Sequence, residues 1–325
     1  MAVDTYEVKA PAPDGEVRET ARPRKVPLQV RLLQYRWLML LLLPGVIYFV
    51  VFKYMPMYGV TLAFKDYVPV LGWSDSPWVG LKHFDRMFTS PDFPRVFWNT
   101  VVLAFLNVVI VFPMPIIVAL MLNELRVTVL KRMIQTAIYI PHFLSWAIVA
   151  SITFLLFAYG DGPLTLLVER LTGDTESILT DPAWFRPLII LQTLWKSVGW
   201  GTIIYLAALA GVDASLYEAA RIDGATRMRQ LWHVTLPAIR STIIVMLILQ
   251  SGTLLDTGFE QIYLMTNSLN RGVAEVLDTY TYYMGIEQGA FSYSTAVGLF
   301  KGVIGAVLIF GTNFLAKKFN QSTLF

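Results

Sequence analysis

What most limits the fold of this chain is where its charges are missing: six long apolar stretches run almost free of Asp, Glu, Lys and Arg. A helix needs about 20 mostly apolar residues to cross a bilayer, and each stretch approaches or exceeds that length. They lie at about 37–56, 97–122, 133–158, 188–211, 237–258 and 291–316. Only 15% of the 325 residues are charged and 55% are hydrophobic, whereas soluble domains carry roughly 25% charge. The expected fold is therefore all-α, a polytopic membrane protein with six transmembrane helices. Pro44, Pro113, Pro115 and Pro141 fall inside the stretches. Membrane helices tolerate such prolines where neighbouring groups satisfy the freed carbonyls.

The basic residues set an orientation. With the N-terminus inside, the cytoplasmic segments hold 16 of the 26 Lys and Arg and the outer segments hold 8, leaving Lys196 and Lys301 within spans. This bias predicts both termini in the cytoplasm. Residues 1–27 are polar, are punctuated by Pro11, Pro13, Pro23 and Pro27, and have no apolar face, so they are read as a disordered cytoplasmic tail ahead of a transmembrane domain over 28–325. The connection from Lys53 to Arg95 carries Trp73, Trp78, Phe84, Phe88 and Phe93 among turn residues, which predicts a folded cap at the interface.

Composition also removes function classes. The chain has no cysteine, which excludes disulfides and thiol chemistry, and its three histidines stand far apart in no ligand spacing. The net charge of +3 is small and dispersed, so nucleic acid is not an expected partner. No G-x-x-x-x-G-K-[ST] phosphate loop is present, so ATP hydrolysis is not expected in this chain.

Between the fourth and fifth stretches lies a polar segment, 213–235, with the order Glu218-Ala219-Ala220-Arg221-Ile222-Asp223-Gly224-Ala225, then Leu236-Pro237. It reads as two short cytoplasmic helices joined at Asp223-Gly224, where glycine permits a backbone that a side chain would penalise. The alanines leave a small-residue surface that another protein can approach closely. Pro237 suits the first turn of the next membrane helix.

This segment resembles the coupling signature of the permease subunits of ATP-binding-cassette importers, E-A-A, then D-G-A three residues on, then a hydrophobic-x-L-P ending. Glu218, Ala219, Ala220, Asp223, Gly224, Ala225, Leu236 and Pro237 match it, with Val234 in place of the usual isoleucine. The resemblance runs from about Leu28 onward and is closest to the carbohydrate, maltose-type permeases. Within these it is closest to an oligosaccharide subgroup that includes the alginate oligosaccharide importer, through Tyr54-x-Pro56-x-Tyr58-Gly59, Ala63-Phe64-Lys65-Asp66-Tyr67, Ser76-Pro77-Trp78-Val79-Gly80-Leu81 and Pro141-His142-Phe143-x-Ser145-Trp146. It implies a bacterial cytoplasmic membrane and a second permease subunit, a different chain. It also implies two cytoplasmic ATPases that bind the ATP and Mg, docked on the short helices, and an extracytoplasmic sugar-binding protein. The implied cargo is an oligosaccharide, with an acidic, uronate-containing one favoured by the subgroup.

Candidate substrate contacts are fewer. Lys196 lies in the middle of the fourth stretch, flanked by Trp195 and Trp200. A lysine at that depth faces a wet cavity or a partner. Either it meets an acidic or hydroxyl-rich sugar while a tryptophan offers a stacking face, or it pairs with a carboxylate or backbone carbonyls of the partner subunit. Lys301 and Asp256 lie at similar depths, so an internal ion pair is the favoured reading over substrate contact. Gln192, Asn99, Asn107 and Gln250 either line a path or join helices. His142, after Pro141, reads as part of a kink. The rivals are a secondary transporter, which would show paired intramembrane carboxylates or an inverted repeat, and a membrane enzyme, which would show a catalytic cluster; neither pattern is found.

Overall fold

The computed structural model describes residues 35–173 and 178–318, so the tail at 1–27 lies outside the described residues. These residues are mostly helical, with no strand beyond one isolated bridge between Lys65 and Trp78. Two units separate at Tyr58/Gly59. The first unit is built on α1 (Arg36–Phe49), and its helical run continues through Val50–Tyr54 and Met55–Met57.

The second unit opens with the expected cap. Its anchor is Lys65, 5% exposed, whose Nζ donates to the carbonyls of Trp73 at 2.8 Å and Ser74 at 3.3 Å and sits 5.3 Å from the Trp78 ring centre. Asp66 pairs with Lys82 at 2.6 Å, and that hydrogen bond holds its carboxyl below the usual carboxylate range. The cap then folds into α2 (Lys82–Thr89), whose Met87 is fully buried against Phe93, Val96, Tyr293 and Val297.

Four helical runs are long and apolar enough to cross a membrane unaided: Arg36–Phe64, Asp92–Glu124, Arg227–Gly252 and Phe291–Lys318. Two bent pairs bring the number to as many as six. Prolines explain a recurring irregularity in these runs. A π turn ends shortly before Pro56 (Val50–Tyr54), Pro113 (Asn107–Val111) and Pro237 (Leu231–Thr235). Proline lacks the amide that would reach the carbonyl four residues back, and its ring crowds that carbonyl. A π turn shifts the register by one residue, as where the Phe112 amide reaches the Asn107 carbonyl at 2.8 Å, and so the run continues from α3 (Asp92–Leu106) into α4 (Pro113–Glu124).

Two sequence expectations change. The stretch at 133–158 is not one helix: α5 (Thr128–Tyr139), with its extension to Phe143, meets α6 (Trp146–Leu156) at 104°. Pro141 starts a short 3-10 turn, Leu144 and Ser145 are extended, and the Ser145 hydroxyl accepts from the Ile148 amide at 3.3 Å to start a new helix. The second change is at 213–235. α7 (Pro182–Ala210) turns by 69° into α8 (Ala214–Ile222), as expected, but α9 (Arg227–Gln230) is not a separate helix. It runs through the π turn at Leu231–Thr235 into α10 (Leu236–Gly252), so Pro237 lies inside a continuous run of 26 residues. That run also stops at Gly252 rather than near Gly258. Beyond it come α11 (Phe259–Met265), α12 (Leu277–Tyr282) and α13 (Phe291–Lys318).

α7 is the axis of the packing. A Cβ on Gly201 would come within 2.9 Å of the Pro115 ring, and one on Gly199 within 1.9 Å of the Ile138 carbonyl oxygen. α10 and α13 meet in the same manner, with Gly305 against the Gly252 carbonyl and Ser251 hydrogen-bonded to Thr312 at 2.7 Å. Small residues let helix backbones approach where lipid supplies no hydrophobic drive between helices. Many large apolar side chains, such as Leu155, Val307, Phe310 and Phe314, point outward.

Candidate functional site

Two regions stand out: a cavity among the helices, and the short helix α8 with the turn that follows it. The cavity, about 540 Å³, lies between the π turn before α4, one face of α7, and α10 with the irregular segment after it. α7 contributes Thr193, Ser197, Gly201 and Tyr205, four residues apart and therefore on one face. Asn107 and Gln250 add amides, Trp146 adds a ring, and among the described residues Asp256 is the only charged side chain in the lining. Such a wall suits a polar, uncharged ligand with an apolar ring face.

None of Gln192, Trp195, Lys196, Trp200 and Lys301 lines this cavity. Three of them stand directly behind it. The Lys196 ammonium donates to the carbonyls of His142, at 2.8 Å, and Leu144, and lies 5.4 Å from the centre of the Trp146 ring, which does line the cavity. These are backbone carbonyls of the same chain, at the break in the third stretch, not groups of a partner subunit. Gln192, 6% exposed, donates to the Thr153 hydroxyl at 2.7 Å and accepts from Gln261, another lining residue, at 2.9 Å. Lys301 pairs with Asp256, as matched depths predicted, and also with Asp278 on α12, which the sequence did not single out.

The two tryptophans diverge. Trp200 stacks on the His142 ring at 4.4 Å with the planes 4° apart, so the kink residue is held against α7. Trp195 lies in a separate apolar recess with Leu156, Leu188 and Leu191. The four amides divide as well. Asn107 and Gln250 line the cavity, whereas Asn99 and Gln192 join helices, Asn99 by donating to the carbonyls of Gly272 and Glu275 while accepting from Arg186 at 2.9 Å. The signal that finds the lining residues is the four-residue spacing on α7. Ranking side chains by polarity alone selects Gln192 and Lys196, which share a different face.

At the other region, Asp213 caps α8 by accepting from the Ser215 amide at 2.9 Å, a bond that lowers the pKa of its carboxyl. Glu218 and Ala219 are exposed, Ala220 is half-buried, and Ile222 is 86% exposed. Asp223 and Gly224 follow exposed, with Gly224 at φ 72° and Ala225 half-buried beyond it. The expected glycine turn is present, and it closes when the Ala225 amide reaches the Ala220 carbonyl at 2.8 Å. Thr226 then caps the next run by accepting from the Arg229 amide. The Glu218–Ala225 part of the signature is thus presented on one exposed helix and its turn, with the exposed Ile222 side chain at its tip, whereas Val234, Leu236 and Pro237 lie on the run into α10.

An all-helical bundle with long apolar runs, an internal polar cavity and an exposed glutamate-alanine helix is the architecture of an importer's membrane component. The chain belongs to the family of binding-protein-dependent transport system inner membrane components, whose model matches residues 111–324. It is 60% identical to protein LplB of Bacillus subtilis (strain 168), over 89% of this chain and 91% of that one. It is 50% identical, over 99% of both chains, to the polygalacturonan/rhamnogalacturonan transport system permease protein YteP of the same organism. Among solved structures it is similar to a chain of a bacterial ABC transporter involved in the import of the acidic polysaccharide alginate, with 35% identity, a TM-score of 0.84, and coverage of 90% of this chain and 99% of that one. A second structure of the alginate transporter, in complex with an alginate pentasaccharide-bound periplasmic protein, matches with a TM-score of 0.85 at 34% identity over 91% and 99%. The fold class, the resemblance to carbohydrate ABC permeases and the place in the inner membrane therefore stand.

Proposed function

We propose that this chain is one of two different permease subunits of an ATP-driven importer that moves oligosaccharides through the cytoplasmic membrane by alternating access. The exposed helix Ala214–Ile222 with its Gly224 turn carries this reading. A helix that leaves α7 at 69° and offers Glu218, Ala219 and Ile222 outward is shaped to transmit movement from a docked subunit into the bundle. ATP and Mg belong to two such cytoplasmic subunits. In this arrangement both termini are cytoplasmic, each bent pair contributes one span, and six spans result.

The oligosaccharide reading is supported by the names of YteP and the alginate importer, both of which handle uronate polymers. An extracytoplasmic binding protein is supported by the complex in which the alginate importer was solved. The cavity between α4, α7 and α10 supplies this chain's share of the path: hydroxyl and amide groups for sugar hydroxyls, and Trp146 for a ring face. Lys196, Gln192 and Lys301 position that wall from behind.

The test replaces Gly224 by proline, which cannot adopt φ 72°. In the complex assembled with its ATPase subunits, Gly224→Pro and Glu218→Lys are expected to abolish sugar-stimulated ATP hydrolysis or to release the ATPase, while the membrane portion still purifies as a folded species. Full stimulation in both variants would remove the assignment.

A further inference from the structure

Among the described residues, Asp256 is a charge that borders both the central cavity and a second recess. It sits in the irregular segment after α10, where its amide bonds to the Thr253 carbonyl at 2.9 Å, just before Gly258 at φ 90°. It lines the central cavity and also a recess of about 340 Å³ that holds Asp278, Gly298, Lys301 and Gly302. Lys301 is the hinge between the two spaces. Its ammonium, 17% exposed, is shared by Oδ1 of Asp256 and Oδ1 of Asp278. Asp278 is 20% exposed and does not reach the central cavity, whereas Asp256 is 59% exposed and does. The Oδ2 of Asp256 has no partner among the described residues. A Cβ on Gly298 or Gly302 would meet nothing within 4 Å, so the space around the pair stays open.

The charges have a consequence. One ammonium between two carboxylates leaves a formal excess of one negative charge, and the carboxylate that faces the cavity carries it. Lys301 keeps Asp256 aimed, while the open Oδ2 accepts hydrogen bonds. Hydroxyl groups donate to such an oxygen in short, charge-assisted bonds, and a ligand carboxylate is repelled by it.

We infer that Asp256 is a specificity-determining residue, which accepts hydrogen bonds from substrate hydroxyls and turns away carboxylates on this chain's side of the path. The inference rests on the oligosaccharide reading above. For a uronate-containing substrate it fixes a facing: the hydroxyl edge lies against this chain, and the carboxylate edge lies toward the other permease subunit.

The experiment reconstitutes the full complex, with its binding protein, in proteoliposomes. It compares uptake of a neutral galacto-oligosaccharide with that of an oligogalacturonate of the same length. The same binding protein is used in every reconstitution, so its own preference cancels when variant and wild type are compared. Asp256→Asn is expected to raise the uronate-to-neutral uptake ratio about tenfold, the effect of removing a unit charge ~6 Å away at an effective dielectric of roughly 40. Asp278→Asn, which leaves Lys301 to neutralise Asp256 but keeps the Oδ2 acceptor facing the cavity, is expected to raise the ratio clearly less than Asp256→Asn does. Asp256→Ser removes the charge in a smaller side chain and is expected to reproduce the asparagine result should that variant fail to assemble. An unchanged ratio in assembled Asp256 variants, or an equal change in Asp278→Asn, would overturn the inference while leaving sugar transport standing. If the wild-type complex carries neither sugar, the oligosaccharide reading falls first and takes the inference with it.

Discussion

Replacing Lys196 by methionine separates a structural lysine from a substrate-binding one. The ammonium holds the carbonyls of His142 and Leu144, on the non-helical side of a 104° bend, against α7. Hydrogen bonds from a charged donor contribute about 1.5–3 kcal/mol each, and the contact with the Trp146 ring adds roughly 0.5–1 kcal/mol. Methionine keeps the stem, loses these interactions, and recovers part of what it costs to hold an ammonium at this depth. The net loss is then roughly 2–4 kcal/mol, which at ~2–4 °C per kcal/mol lowers Tm by about 4–16 °C. Because the break is fixed by this clamp, uptake of neutral and acidic oligosaccharides should fall in equal proportion. The assay pairs thermal unfolding of the detergent-purified complex with uptake of both sugars, and Lys196→Arg, which retains donors, should recover most of the stability. An unchanged Tm together with selective loss of the acidic sugar would refute the reasoning and return Lys196 to the substrate path.

Two further outcomes follow from geometry. Gly199→Ala places a methyl 1.9 Å from the Ile138 carbonyl oxygen, so the backbones of α5 and α7 must part; a cost of at least ~3 kcal/mol and poor assembly are expected, whereas Gly311→Ala, with nothing within 4 Å, should express as wild type. The native chain has no cysteine, so single cysteines at Tyr159, 73% exposed, and Ile222, 86% exposed, report topology directly. Labelling of position 159 only from outside and of position 222 only from inside is expected, and labelling from the same side would break the six-span arrangement.

Much of the architecture was legible because bilayer physics is coarse: a run of apolar residues between charges identifies a span whatever its neighbours are. The Gly224 turn was legible for a local reason, since Asp223-Gly224 between two short helical segments calls for a left-handed backbone whatever packs nearby. The break in the third stretch was only half legible. Pro141 announces a kink, but the bend reaches 104° because Ser145 starts a new helix and Lys196, more than fifty residues on, holds the exposed carbonyls. Asp278 was missed for a similar reason. It lies in a connection, not a span, and only the fold of 259–290 brings it to Lys301.

The placement of Lys196 is more instructive, because the principle that an ionisable residue in a membrane faces a wet cavity or a partner leaves both a sugar and backbone carbonyls open to it. Lys196 obeys that rule only indirectly. Its charge is consumed by backbone carbonyls that the bend leaves unbonded, and the face of α7 that borders the cavity carries hydroxyls and glycine instead. A transporter gains from this division. In the proposed path, charges that must stay ordered hold the wall from behind, while the surface that borders the cavity offers weak, exchangeable hydrogen bonds suited to releasing a sugar as readily as taking it up. Asp256 is the exception, and it touches the cavity with its charge already half neutralised by Lys301.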